Sequence, residues 1–245
     1  MDSLIRLALA LFALCAPVRK KGGMIAAHHT LMRGGGPEFF IRSTGSYTTN
    51  VEKTSNGSTF DTGVMPTSST IVEITFRITP GSTRQHWPYL LGAQTANDNA
   101  NTFSVRGNAT TNSSPPWTLF RWGHTAWHDM GLAESWGTNP DWHVLRLSQD
   151  LFVLDGAQSD VSGFAKSGTV PGVTMAIGSI HRASSFQNCL PHDIKTLKIW
   201  DGSTLLRDLS AELNGTTPGM RCAVTGSFFS SVVTSYPYQL LEDSP

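Results

Sequence analysis

The sequence predicts an all-β protein of the sandwich or barrel type, and three observations point there. Charged residues make up only 15% of the 245-residue chain, against roughly 25% in an average soluble domain. Ser and Thr fill the polar quota, together with 23 Gly and 13 Pro that supply turn chemistry. From residue 38 onward, short runs of alternating apolar residues recur about every 8–12 residues, the rhythm of a sandwich or barrel. Hydrophobic residues at 39% supply a sizeable core, which excludes wholesale disorder. The 18 basic and 18 acidic side chains cancel, so the basic excess that a nucleic-acid partner demands is missing. No apolar run reaches the ~18 residues of a membrane-spanning helix.

Taken in order, residues 1–23 carry an apolar run from Leu7 to Pro17, with Leu4, Leu7, Leu11 and Leu14 at helical three-and-four spacing. This reads as a short helical docking arm. A signal peptide is the alternative, but Arg6 alone precedes the run, Arg19, Lys20 and Lys21 follow it, and Ala13-Leu14-Cys15 is a mediocre cleavage site. A third reading starts translation at Met24. The glycines at 22–23 and 34–36 make residues 24–37 a Gly-rich linker, and the globular domain spans 38–245.

Within that domain, strands are expected at 39–44, at 58–62 after the Asn56-Gly57 turn signal, and at 70–79. The third is the clearest, with Val72, Ile74, Phe76 and Ile78 on one face and Glu73, Thr75 and Arg77 on the other. Further strands are expected at 89–92, 102–106, 118–122, 142–148, 151–155, 174–181, 194–200, 205–212 and 228–233. Asp155-Gly156 and Asp201-Gly202 read as hairpin turns. Three cysteines (Cys15, Cys189, Cys222) make no disulfide framework and no zinc spacing, so Cys189 and Cys222 are expected as buried thiols.

Several of these runs, in this order, resemble laminin-G-like, concanavalin A-like domains. They are Ile41-Arg42-Ser43-Thr44-Gly45, Phe60-Asp61-Thr62-Gly63-Val64, Thr70–Phe76, Tyr89–Ala93, and Ile194–Trp200 followed by Asp201-Gly202-Ser203 and Leu205–Leu209. Phe228-Phe229-Ser230 fits the closing strand, and Tyr47 to Ser55 is an insertion. The resemblance implies a two-sheet antiparallel jelly-roll sandwich used for glycan binding or assembly, in bacterial surface proteins and phage structural proteins.

Chemistry is sparse. A glycosidase needs two carboxylates flanking the scissile bond, but Glu73 stands alone on its strand, while Glu134 and Asp141 fall in a loop. No nucleophile elbow, zinc-protease or P-loop motif occurs. No enzymatic activity and no cofactor are expected. The run Asn97-Asp98-Asn99-Ala100-Asn101 superficially resembles a calcium loop but lacks its glycine and distal glutamate. His124 and His128 share no helix, so no metal is expected there either.

The distinctive feature is aromatic: five of the seven tryptophans fall between Trp117 and Trp142, interleaved with His124, His128 and His143. Trp122, His124, Trp127, His128, Asp129 and Trp136 are the candidate carbohydrate-binding residues, because a sugar's C–H face stacks on indole while its hydroxyls bond to His or Asp. Core and subunit-interface packing is the competing reading of the same residues. Trp142, leading a strand with Val144, is expected in the core. The expected function is a non-enzymatic phage virion appendage, such as a fibre, decoration or tail component. It would dock on other virion or surface proteins through residues 1–37, oligomerise as a trimer by analogy, and contact host glycans. The alternatives are a secreted bacterial carbohydrate-binding surface module and a glycoside hydrolase.

Overall fold

A computed structural model describes residues 38–45, 57–79, 88–95, 101–107, 118–130 and 141–243. The expected helical arm and linker (1–37), Tyr47–Ser55, Asp98 and Trp136 lie outside the described residues. No helix among the described residues is long and apolar enough to cross a membrane.

The described residues form two sheets. The first comprises β1 (Glu38–Arg42), β3 (Thr70–Ile78), β8 (His143–Ser148), β9 (Leu151–Leu154), β10 (Ala157–Ser159), β14 (His192–Asp201), β15 (Thr204–Asn214), β16 (Thr217–Cys222), β17 (Phe228–Phe229) and β18 (Gln239–Asp243). The second comprises β2 (Phe60–Asp61), β4 (Tyr89–Gln94), β5 (Thr102–Gly107), β6 (Thr118–Trp122), β7 (His128–Asp129), β11 (Ala176–Ile177), β12 (Ile180–Arg182) and β13 (Ser185–Gln187). The ten-stranded sheet runs β10-β9-β8-β3-β14-β15-β16-β17, with β1 bridging β14 to β18. The eight-stranded sheet runs β13-β12-β4-β5-β6-β7, with β11 joining β2 to β4. Pairing is antiparallel except between β12 and β4.

Strict alternation decides which faces meet. β3 buries Thr70, Val72, Ile74, Phe76 and Ile78 and leaves the residues between them half-buried, as its period of two requires. The opposing sheet sends in Leu91, Ala93, Phe103, Val105, Phe120 and Trp122. The sheets touch directly: the Phe120 and Phe152 rings stand edge to face at 5.2 Å, and the Trp122 indole N–H donates to the Thr70 carbonyl at 3.3 Å. This is a β-sandwich with its core between the sheets.

Turn chemistry explains two hairpins and one correction. Asp155 and Gly156 both take positive φ (51° and 81°) and join β9 to β10 in a two-residue loop. The second loop is Gly202-Ser203 rather than Asp201-Gly202: Asp201 still pairs with Thr204, and Gly202 takes φ 56°. The run 174–181, expected as one strand, breaks into β11 and β12 at Gly178 (φ 79°). A Cβ there would land on the His192 ring. β7, β10, β13, β16 and β18 fall outside every expected strand. Trp142 is corrected too. His143, Leu145 and Leu147 face inward, so Val144 is 44% exposed, and Trp142 packs outside against Phe40 and the Arg77 guanidinium. Cys189 and Cys222 are buried free thiols.

Candidate ligand-binding face of the eight-stranded sheet

The candidate residues that cluster in sequence are split by strand alternation in space. On β6, Phe120 and Trp122 point into the sandwich. Trp122 is fully buried, edge-on to Phe103 at 5.4 Å, and its indole offers no face to a sugar. It is a core residue. His124 is also fully buried. Its Nδ1 accepts from the Trp122 N–H at 3.3 Å, so Nε2 carries the proton and donates to the Gln149 carbonyl at 2.9 Å. Burial is the main force pushing its pKa below the ordinary histidine value. His128 lies flat on Phe164 (3.5 Å between centroids, 5° between planes), and its Nε2 is buried without a hydrogen-bond partner. Its pKa is also pushed down, chiefly by desolvation and then by the Arg121 charge. These three residues therefore build the interior side of the β6–β7 end of the sheet.

Trp127 and Asp129 have the opposite parity. Asp129 is exposed on β7 opposite Leu119. Trp127 is half-buried and packs on residues that the sequence reading missed: the Arg106 guanidinium lies 4.0 Å from its ring, with Tyr89 at 6.4 Å.

Those missed residues define the outer face. Phe103 and Val105 face the core, so Thr102, Ser104 and Arg106 lie on the opposite side of the sheet, where Thr102 and Ser104 are fully buried and Arg106 is half-buried, and the register sets them beside Gln94, Gly92 and Tyr89 of β4. A bulge at Leu90 keeps Tyr89 in step with Arg106, which donates to the Tyr89 hydroxyl at 3.4 Å. On the other flank of β4, Arg182 of β12 donates through Nε (3.0 Å) and Nη2 (2.7 Å) to the Gln94 side-chain carbonyl. Ile180 seats on Gly92: a Cβ at Gly92 would stand 3.0 Å from both Ile180 Cγ1 and Ser104 Cβ. Glycine is what lets these strands close up.

Several polar atoms on this face are buried and lack a hydrogen-bond partner: Thr102 Oγ1, Ser104 Oγ and Gln187 Oε1. A buried polar atom left unpaired costs about 1–3 kcal/mol, so a concentration of them marks a place where a ligand or water completes the structure. Arg106 is held below its ordinary range mainly by burial; the charge of Arg182 adds to that shift, while Tyr89 opposes it.

No family model matches the chain, and no curated protein sequence matches it. Among solved structures, the chain is similar to the CBM40 of the Ruminococcus gnavus IT-sialidase, with a TM-score of 0.42 and 13% identity over 66% of this chain and 91% of that one. At that level of overlap the similarity assigns neither a ligand nor an activity.

Chemically, the half-buried part of the face offers the Trp127 indole, the Gln187 amide and the Arg106 and Arg182 guanidinium groups. That mixture binds oxygen-rich ligands through directional hydrogen bonds. Among the described residues, no group of three or more His, Cys, Asp or Glu is placed to hold a metal ion.

Proposed function

We propose that the chain is a non-enzymatic carbohydrate-binding module of the concanavalin A-like jelly-roll class, acting at a surface, with its ligand seated on the outer face of the eight-stranded sheet. The observation that carries this reading is the half-buried Trp127–Arg106 stack on the same face as the half-buried Arg182 and Gln187 side chains. A pyranose fits such a surface, its hydroxyls pairing with the amide and guanidinium groups and its C–H face with the indole. Absence of catalysis is in keeping with the place of Glu73. It sits on the ten-stranded sheet in a salt bridge with Arg146 at 3.2 Å, remote from this face. The virion-appendage reading turns on residues 1–37, outside the described residues, and nothing in the described sandwich favours it.

A glycan array probed with the wild type, Trp127→Ala and Arg182→Gln tests the proposal. Wild-type binding to a restricted set of glycans, weakened roughly tenfold or more by either substitution, is the expected outcome. A wild type that binds no glycan ends the proposal.

A further inference from the structure

We propose that the outer face of the ten-stranded sheet docks a second copy of this chain, back to back, about a two-fold axis that runs along the strands between β14 and β3. This face lies away from the candidate ligand site, so the proposal stands independently of the glycan-binding reading.

Register places four charges in one row. Asp208 of β15 lies opposite Lys198 of β14, Lys198 opposite Glu73 of β3, and Glu73 opposite Arg146 of β8. Leu209, Leu197, Ile74 and Leu145, one position away on the same strands, point into the core, so all four charged side chains point outward. Arg146 is exposed and the other three are half-buried. Across the strands the signs read minus, plus, minus, plus, which is antisymmetric about the β14–β3 boundary. A two-fold axis along that boundary lays β14 over β3 of the second copy and β15 over its β8. Lys198 then faces a glutamate and Asp208 faces an arginine, and both contacts recur by symmetry. Every facing pair is of unlike sign.

The rows on either side obey the same symmetry. On one side Trp200 pairs with Ile71, and the axis sets the indole of each copy over the isoleucine of the other. On the other side Thr196 pairs with Thr75, their hydroxyls 3.0 Å apart, flanked by Ser210 and the exposed Val144. The face is thus banded into apolar, charged and hydroxyl-bearing rows, and each band meets its own kind. Arg146 ties two bands together, 3.2 Å from Glu73 and 5.4 Å from the Trp200 ring. Exposed ion pairs contribute little singly, so the charges set register and partner choice while Trp200 and Ile71 supply apolar burial. With β16 and β9 added at the flanks, six strands about 4.8 Å apart and on the order of 25 Å long offer roughly 700 Å² per copy, near the ~800 Å² of a stable interface. Back-to-back packing turns the eight-stranded sheets of the two copies outward.

Sedimentation velocity of the full chain, from about 1 to about 100 μM, reads the assembly. The wild type should pass from monomer to dimer over that range, and raising the salt from about 0.05 to about 0.5 M should move the midpoint to higher concentration. Lys198→Glu alone and Glu73→Lys alone each set like charges face to face and should sediment as monomers. An equimolar mixture of the two restores unlike charges at every facing pair and should dimerise, as should one chain carrying both substitutions. Trp200→Ala should weaken the dimer at least about tenfold. Thermal melting confirms that each variant is folded; if an inner-pair variant is not, Asp208→Lys mixed with Arg146→Glu makes the same exchange at the outer pair. A wild type that is monomeric throughout, or that assembles in threes, overturns the proposal. So does a folded Lys198→Glu that dimerises as the wild type does, and so do folded single variants that fail to recover on mixing.

Discussion

Trp122 and Trp127 stand five positions apart and do opposite jobs: Trp122 shares the inward face of β6 with Phe120, while Trp127 adjoins His128, which pairs with Phe120, and so falls on the other face. Trp122→Ala should lower stability by roughly 3–5 kcal/mol, as for other buried tryptophans. It should leave the sugar selectivity of the folded fraction unchanged, whereas Trp127→Ala should do the reverse. Urea denaturation alongside the glycan array separates the two. His192 shows the same principle in electrostatic form. It is fully buried, with Nδ1 donating to the Leu190 carbonyl at 2.6 Å and Nε2 accepting from the Tyr238 hydroxyl at 3.2 Å. Desolvation lowers its pKa to about 4. A depressed histidine pKa means that the unfolded chain takes up the proton first as pH falls. The contribution of His192 is therefore complete above about pH 6.5 and is lost progressively down to about pH 4, by roughly 3 kcal/mol. His192→Gln should be less stable at pH 7 yet show a flatter decline between pH 6.5 and 4, measured as urea midpoints.

At the scale of elements, the strands legible in the sequence were those with uninterrupted alternation: β3, β5, β6 and β8 are close to where their patterns place them. The 174–181 run misled because Met175, Ala176, Ile177 and Ile180 give it an apolar cast, while the chain reverses at Gly178-Ser179 in its middle. Gly178 reverses the chain only because His192, from a different strand, occupies the space where a side chain would be. Gly178→Ala combines a left-handed backbone with that overlap and should cost about 2–4 kcal/mol. A melting temperature equal to wild type would contradict this account. The binding face was hidden for a related reason. Thr102, Ser104 and Arg106 read as the solvent side of an ordinary strand, and their meaning comes from Gln94, Arg182 and Gln187 on strands 8 to 85 residues away along the chain. The tryptophan cluster drew attention by sequence density, which period-two geometry then divided between core and surface.

For the whole molecule, composition gave the right class: few charges and many hydroxyls fit a sandwich whose strand edges and turns carry the polar load. The two sheets meet through side chains across the core, so coupling between those side chains reports their face-to-face packing. A double-mutant cycle with Phe120→Ala and Phe152→Ala, one from each sheet, should give an interaction energy of about 0.5–1.5 kcal/mol beyond simple area loss. Strict additivity in that cycle would argue against the edge-to-face contact at 5.2 Å.

The parallel pairing of β12 with β4 has a consequence for recognition. β4 gives one edge to β5 and divides the other between β11, at Leu91–Gly92, and β12, at Ala93–Gln94. Both of its edges are engaged, so the strand at the centre of the candidate face has no backbone left to zip onto an extended peptide. Whatever rests there is read by side chains alone. Positions 127, 182 and 187 can then be exchanged to retune selectivity while the hydrogen-bonded ladder beneath them stays as it is.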